Sequence, residues 1–570
     1  MRILLLTHAF NSLTQRLAAE LNERGHEISI EFDIADSVTE EAVTLFQPAL
    51  IIAPYLRRAI PESIWSRHVC LIVHPGIVGD RGPSALDWAI ANQETAWGVT
   101  VLQAQAEMDA GPVWSSVTFP MREAKKSSLY RHEVTQAANQ AVMLAVQRFE
   151  SGDFVPQAQA SMAARGCTRA LMQQAERRID WARDDTASVL QRIRAADGFP
   201  GVADSLFNQP CHLFDVWPEA TLRGTPGAVI ARRETALLRA TVDGAVWIGH
   251  IKRKGSIKLP ATLAFEPQAQ AIAEAPLEGY WRVKTPTWQD ISYAENGAVG
   301  SLHFEFYNGA MSTQQCERLR AALVWAKQRP TTVLLLLGGG DFWSNGIHLN
   351  VIEAASLSAG SAADESWRNI NAMNDLALEL IGTEAQITIA ALGGNSGAGG
   401  CFLARACDQV WVREAVLLNP HYKNMGNLYG SEYWTYSLPR RVGLDAARAI
   451  MHKREPLTAR HALEIGFSDA CLAGNVPAFR AEVAQRAAAL ASAPDLPAQL
   501  VDKRETRARD EARKPLAVYR EEELAQMRRN FYGFDPSYHV ARHHFVNKSP
   551  ASWTPRHLAR HRDLNWKVNA

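Results

Sequence analysis

No stretch of this chain approaches the roughly 18 consecutive apolar residues a membrane helix requires. Nothing in it reads as a signal peptide either: Met1-Arg2-Ile3-Leu4-Leu5-Leu6 runs into polar residues too soon and has the pattern of a buried strand. Net charge is absent as well. Lys+Arg and Asp+Glu both number 60, so no whole-chain field draws the protein to nucleic acid or to an acidic membrane, and an anionic ligand must meet a local basic cluster. Cysteine is sparse and unpatterned. Cys70, Cys167, Cys211, Cys316, Cys401, Cys407 and Cys471 are odd in number and form no Cys-x-x-Cys pair, which argues against a metal site and for reduced thiols in the cytoplasm.

What is present is the balance of a globular protein, 47% hydrophobic and 21% charged over 570 residues, a length that implies several packed units. Strand-like runs at 3–6, 28–32, 49–53 and 70–73, with a helix-patterned segment up to Gly25, predict a doubly wound, Rossmann-like α/β unit over 1–165. In such a sheet the ligand crevice lies beyond the carboxyl ends of the strands. Between about 196 and 275 short β-like runs broken by Gly and Pro predict a small OB-like β-barrel, assigned to 166–280. A second α/β unit over 281–490 contains the buried strand 333–337, Gly338-Gly339-Gly340 and a glycine-rich run from Gly393 to Gly400. Beyond it, 491–570 is Arg- and Glu-rich with helical spacing and is expected to dock as a helical tail.

Two constellations carry chemistry. In the first, Val73-His74-Pro75-Gly76 leads to Gly79-Asp80-Arg81-Gly82, and Met108-Asp109-Ala110-Gly111 follows on the next strand-end loop. Taken singly, His74 reads as a strand cap and Asp109 as a turn opener. Together, with Arg81-Gly82 between them, they resemble the folate-dependent formyltransferases, including methionyl-tRNA formyltransferase. The resemblance continues through Arg178-Ile179-Asp180-Trp181, Phe199-Pro200-Gly201 and Pro226-Gly227, and covers about 1–275. It implies that His74 stabilises a tetrahedral oxyanion while Asp109 orients or relays a proton. It places the pterin of formyl-tetrahydrofolate against Pro54, Tyr55 and Leu56 and the loop Gly79, Asp80, Arg81 and Gly82. The chain departs from that family at Ile72, where an Asn normally supplies a further oxyanion donor.

In the second constellation, Phe342-Trp343-Ser344-Asn345-Gly346-Ile347-His348 and Ala398-Gly399-Gly400-Cys401 resemble the two oxyanion-hole segments of the crotonase, or enoyl-CoA hydratase/isomerase, superfamily. The resemblance assigns the backbone N–H groups of Asn345 and Gly399 to a thioester oxygen, with the dipole of a helix N-terminus behind them. Phe402 and His421 fall where the hydratases carry their two glutamates, which argues against addition of water to a double bond. Instead the sequence offers Tyr422 and, within Leu428-Tyr429-Gly430-Ser431-Glu432-Tyr433-Trp434, a carboxyl among aromatic rings. Burial there raises the carboxyl's pKa and suits Glu432 to moving a proton; as a plain alternative it caps a helix near Ser431.

The fusion of the two halves is similar to the nickel-iron hydrogenase maturation factors. That resemblance implies a formyltransferase and lyase. Formyl-tetrahydrofolate gives its formyl group to coenzyme A, and formyl-CoA is decarbonylated to carbon monoxide and coenzyme A for the hydrogenase maturation machinery. The catalytic set is then His74, Asp109, Asn345, Gly399, Tyr422 and Glu432, with Arg131, Arg253 and Lys254 meeting the nucleotide end of coenzyme A. Two other outcomes fit the same residues: a formyl-CoA or acyl-CoA hydrolase releasing formate, and a non-catalytic folate- or CoA-binding scaffold.

Overall fold

The computed structural model describes residues 1–163, 165–358 and 360–563. Strands β1 (Arg2–Thr7), β2 (Glu27–Phe32), β3 (Leu50–Tyr55), β4 (Cys70–His74), β5 (Ala96–Gln103) and β6 (Val113–Pro120) form one sheet in the order β2-β1-β3-β4-β5-β6. The first four are parallel, β5 is antiparallel to β4, and β6 is antiparallel to β5 and so runs with the first four. Ile3, Leu4, Leu5 and Leu6 are all buried, as a central parallel strand covered on both faces requires. Asn11 starts the helix Ser12–Glu23 by accepting from the Thr14 N–H.

The barrel-like region holds β7 (Val202–Leu206), β8 (Gln209–Glu219), β9 (Val229–Arg233), β10 (Ala236–Ala240), β11 (Ala245–Arg253) and β12 (Lys258–Pro260). They form an antiparallel sheet in the order β7-β8-β11-β10-β9, with β12 on β11. Among the described residues β7 and β9 do not pair, so the expected small barrel is open. The helix Thr186–Ala196 packs Val189, Leu190 and Ile193 into the same core as Leu213, Val216 and Val246, occupying space that closure would need.

The C-terminal half contains β13 (Ile291–Asn296), β14 (Val299–Phe304), β15 (Val333–Leu337), β16 (Phe342–Ser344), β17 (Ile387–Leu392), β18 (Asn395–Gly397), β19 (Gln409–Arg413), β20 (Leu417–Asn419), β21 (Leu457–Thr458) and β22 (Ala470–Leu472). They make two sheets, β13-β14-β15-β17-β19-β22 and β16-β18-β20-β21. Within each, one pair is antiparallel and the rest are parallel. The small sheet brings the ends of β16 and β18, and with them the two glycine-rich segments, side by side.

The tail is helical over Leu496–Arg513, Leu516–Tyr532 and Ser537–Asn547, and the second of these lies on the helix Ala362–Ile381. The chain then crosses back to the first sheet. The Ile30 N–H donates to the Leu558 carbonyl at 3.0 Å and the Phe32 N–H to Thr554 Oγ1 at 2.8 Å, covering edge strand β2. At the centre of this clasp Glu31, fully buried, accepts from His561 Nε2 at 2.9 Å and Arg562 Nη2 at 2.7 Å. Among the described residues no helix is long and apolar enough to cross a membrane.

Burial by itself raises the Glu31 pKa, but His561, Thr554 and Arg562 together hold it below the ordinary value. A carboxyl lowered on folding stabilises the fold above the unfolded glutamate range, and that stability is lost as pH falls through the folded pKa. Glu31→Ala leaves His561 Nε2 without its partner and Arg562 with Glu41 alone, and the expected loss is about 3 kcal/mol in denaturant unfolding at pH 7. The difference from the parent protein should shrink on acidification.

Candidate active sites

His74 closes β4, buried, with a carboxylate at each ring nitrogen. Nε2 lies 3.0 Å from Asp80 Oδ1 and Nδ1 lies 3.6 Å from Asp109 Oδ2. Asp109 has φ 54°, in the left-handed region that Asp tolerates. It is steadied from two directions: the Gly82 N–H donates to Oδ2 at 3.2 Å, and Gln159 Nε2 donates to the Asp109 carbonyl at 2.8 Å. Ile72 shares the His74 side of β4 but offers no polar atom. The polar group facing His74 comes from Asp80, whose second oxygen is buried without a partner. Asp80, expected only to line the folate loop, is thus a direct neighbour of His74.

Pro54 and Tyr55 end β3, and the Tyr55 carbonyl accepts from the His8 N–H at 2.7 Å. The loop Gly79 to Gly82 turns through left-handed φ at both glycines and is covered by the chain's own segment 166–169. There the Gly166 N–H donates to the Val78 carbonyl at 3.1 Å and the Arg169 N–H to the Arg81 carbonyl at 2.9 Å. A Cβ at Gly82 would sit 2.1 Å from the Arg169 carbonyl oxygen, which explains the glycine. Arg81 Nη1 pairs with Glu107 at 2.6 Å.

In the second site Gly399 opens the helix Gly399–Arg405 immediately after Ala398, whose φ is 46°. As the first amide of a helix its N–H has no acceptor among the described residues. Gly346 faces it so closely that a Cβ there would lie 3.1 Å from Gly399 N. The assignment of Asn345 is corrected: its N–H donates to the Gly309 carbonyl at 2.7 Å, and its side chain donates to the Asn308 carbonyl at 2.8 Å. The turn Tyr307–Gly309 competes for the amide that the family pattern gives to a thioester.

Glu432 is 1% exposed, and Oε2 is 2.5 Å from the Tyr422 hydroxyl. Oε1 is buried without a hydrogen bond and would lie 2.5 Å from a Cβ on Gly399. The backbone of Glu432 is held by Asn374 Oδ1, which accepts from the Glu432 N–H and the Ser431 hydroxyl, both at 2.8 Å. Burial pushes the Glu432 carboxyl up to about 8, against the lowering effect of Tyr422. Phe402 stacks on Tyr422 with centroids 5.5 Å apart and planes at 14°, keeping the pair dry. Burial holds His421 down to about 4, so it is a neutral ring at pH 7.

Two cavities lie where the halves meet. Both are small: one is lined by Arg16, Arg131, His132, Asp341, Asn395 and Arg413, and the other by Lys125, Arg131, Asp215, Tyr307, Asn308 and Phe342. Arg131 borders both, pairing with Asp341 at 3.2 Å and lying over the Phe342 ring. They reach Asn395 on one side and Asn308 on the other, the residues that lead to Gly399 and bond Asn345; neither is lined by Glu432. Arg253 and Lys254 line neither cavity. Both are exposed at the end of β11, where Arg253 donates to the Ala264 carbonyl at 3.3 Å. Sequence reasoning missed Asp80 as a partner of His74 and Asn374 as a support of Glu432. Asn374 lies 58 residues from Glu432, where a short polar side chain carries no signal of its contacts, and Asp80, six residues from His74, was read only as part of the folate loop.

Residues 300–556 match the enoyl-CoA hydratase/isomerase family, and residues 171–266 match the formyl transferase C-terminal domain family. The first match runs through the tail helices. The chain is 53% identical to the hydrogenase maturation factor HoxX of Bradyrhizobium diazoefficiens, over 99% of this chain and 97% of that one. The solved structure of HypX from Aquifex aeolicus in complex with tetrahydrofolic acid is 45% identical, covers 100% of both chains and superposes with a TM-score of 0.95. Methionyl-tRNA formyltransferase of Trichlorobacter lovleyi is 26% identical over 42% of this chain and 76% of its own.

A carboxyl that keeps its proton to about pH 8 has an infrared signature. A protonated-carboxyl component that is present at pH 7 and fades as pH rises through 8 should be missing from Glu432→Gln. A band that fades between pH 4 and 5 would contradict the buried arrangement.

Proposed function

The chain belongs to the hydrogenase maturation factor HoxX family, and from that premise we propose that it makes carbon monoxide from formyl-tetrahydrofolate through formyl-CoA. In the first step the thiol of coenzyme A attacks the formyl carbon beside His74. The thiol proton passes to Asp109, the tetrahedral oxygen is met by His74, and Asp109 returns that proton to the folate nitrogen as the C–N bond breaks and tetrahydrofolate leaves. The pterin lies against Pro54, Tyr55 and Leu56 and the loop Gly79 to Gly82, and Asp80 holds His74 from its other nitrogen. The phosphates of coenzyme A are met by Arg131, joined by Arg16 and Arg413 from the same cavity.

In the second step the formyl thioester lies with its oxygen on the Gly399 N–H. Glu432 takes the formyl hydrogen as a proton, the C–H electron pair stays on carbon, the C–S bond breaks, and carbon monoxide departs. Glu432 then returns the proton to the thiolate, with Tyr422 holding the carboxylate between the two transfers. The observation that carries this reading is the bare, buried Oε1 of Glu432 against the free amide of Gly399. A base with a pKa near 8 keeps about a tenth of its molecules ionised at pH 7 and is a stronger base than an exposed glutamate. Phe402 and His421, one apolar and the other a neutral ring, leave no second carboxylate to activate water at the hydratase positions.

The test uses purified protein with [13C]formyl-tetrahydrofolate and coenzyme A, reading formyl-CoA in solution, formate by NMR and labelled carbon monoxide in the headspace. Asp109→Ala should slow formyl-CoA formation by about 10²–10⁴-fold. Glu432→Gln should accumulate labelled formyl-CoA and release no carbon monoxide. Labelled formate in place of carbon monoxide would identify a hydrolase, and unaltered donor would identify a scaffold.

A further inference from the structure

Three donors on the turn that carries Glu432 end on one carboxylate from a distant part of the chain. Glu523, on the helix Leu516–Tyr532, accepts from the Tyr433 N–H at 3.0 Å, the Thr435 N–H at 2.9 Å and the Thr435 hydroxyl at 2.6 Å. The same helix face reaches the turn twice more. Met527 Sδ accepts from the Gly430 N–H at 3.2 Å and Asn530 Oδ1 from the Tyr429 N–H at 3.0 Å, so residues spaced by four and then three grip one segment. Between these contacts and Asn374 on the opposite side, Glu432 and Tyr433 take consecutive left-handed φ values of 59° and 58°. For residues such as Glu and Tyr, unlike Gly, Asn and Asp, that conformation is strained. The helix is therefore the wall that aims the carboxyl.

We propose that Glu523 is a positioning residue for Glu432: it gathers Tyr433 and Thr435 to fix the left-handed pair, and it places a second acidic group in the same dry interior, coupling the protonation of the two. Both carboxyls are fully or almost fully buried. Burial raises Glu523 to about 7, and its negative charge adds to the effect of burial on Glu432. The other titratable groups facing the pair are Tyr422 from the β20 side, Cys316 from the helix Thr313–Lys327, and the hydroxyls of Tyr429 and Tyr433. Arg520 on Glu523's own helix is neutralised by Asp375 at 2.6 Å. The catalytic consequence rests on the decarbonylation reading; the coupling itself does not.

Glu523→Gln keeps the size and removes the charge. The expected result is that the Glu432 infrared band titrates about one pH unit lower than in the parent protein, and that the acid limb of carbon monoxide release moves in the same direction. Met527→Leu loosens the same turn without touching charge and should leave both midpoints in place. An unmoved midpoint in folded Glu523→Gln, or an equal shift in Met527→Leu, overturns the proposal. Should Glu523→Gln fail to fold, the difference between the parent and Glu432→Gln spectra separates the two carboxyl bands. As pH rises the Glu523 band should fade before that of Glu432, and a Glu523 band that outlasts it overturns the proposal. A band shift in a protein that releases no carbon monoxide supports the coupling and counts against the reaction instead.

Discussion

Keeping a carboxyl in a dry interior with one oxygen bonded and the other bare costs about 1–3 kcal/mol for the unmet oxygen alone, and the fold must supply that from elsewhere. Around Glu432 the supply is visible. Asn374 holds its amide, Tyr422 its second oxygen, and Phe402 covers the ring. The helix Leu516–Tyr532 braces the turn from behind. None of these contacts satisfies Oε1, which remains aimed at Gly399. An arrangement that spends so many contacts on leaving one atom unmet is organised for a visitor at that atom.

The first sheet and the C-terminal half meet through polar contacts, whereas Val546 and Leu349 of the C-terminal half join the apolar core of the barrel-like region. Asp341, in the loop between β15 and β16, accepts from the Ser128 hydroxyl at 2.6 Å and lies 3.0 Å from His132 Nε2, both from the N-terminal half. Those bonds and Arg131 hold the Asp341 carboxyl well below the usual range despite its burial. Two cavities open on either side of this junction. A phosphate-bearing ligand placed there would contact the side chains that dock the halves, so binding and docking draw on the same arginines. The tail adds a second tie, through Glu31 and His561 on the opposite edge of the first sheet.

Much of this was legible in the sequence. The runs at 3–6 and 333–337 are continuous and apolar because both sheet faces are covered, and they read as buried strands without ambiguity. His74 and Asp109 were paired because their motifs together resemble the formyltransferases, and Glu432 with Tyr422 because a carboxyl among rings suits proton transfer, with a helix cap near Ser431 as the alternative. Asn345 was misjudged for a physical reason. Where an amide points depends on which carbonyl reaches it first, and the Tyr307–Gly309 turn is not part of the motif. Arg253 and Lys254 were chosen for charge alone, and charge does not say which end of a strand faces the interface. Asp80 and Glu523 sit in loop and charged-helix sequence where an acid is ordinary, and only the fold brings them to their partners.

The central claim is that a buried carboxyl removes the formyl hydrogen as a proton. A single-turnover comparison of carbon monoxide release from [formyl-1H]- and [formyl-2H]CoA tests this directly, since it observes the bond that Glu432 is said to break without interference from product release. A several-fold slower release from the deuterated thioester is the predicted result. Equal rates, with chemistry as the observed step, would contradict proton abstraction as the act that frees carbon monoxide.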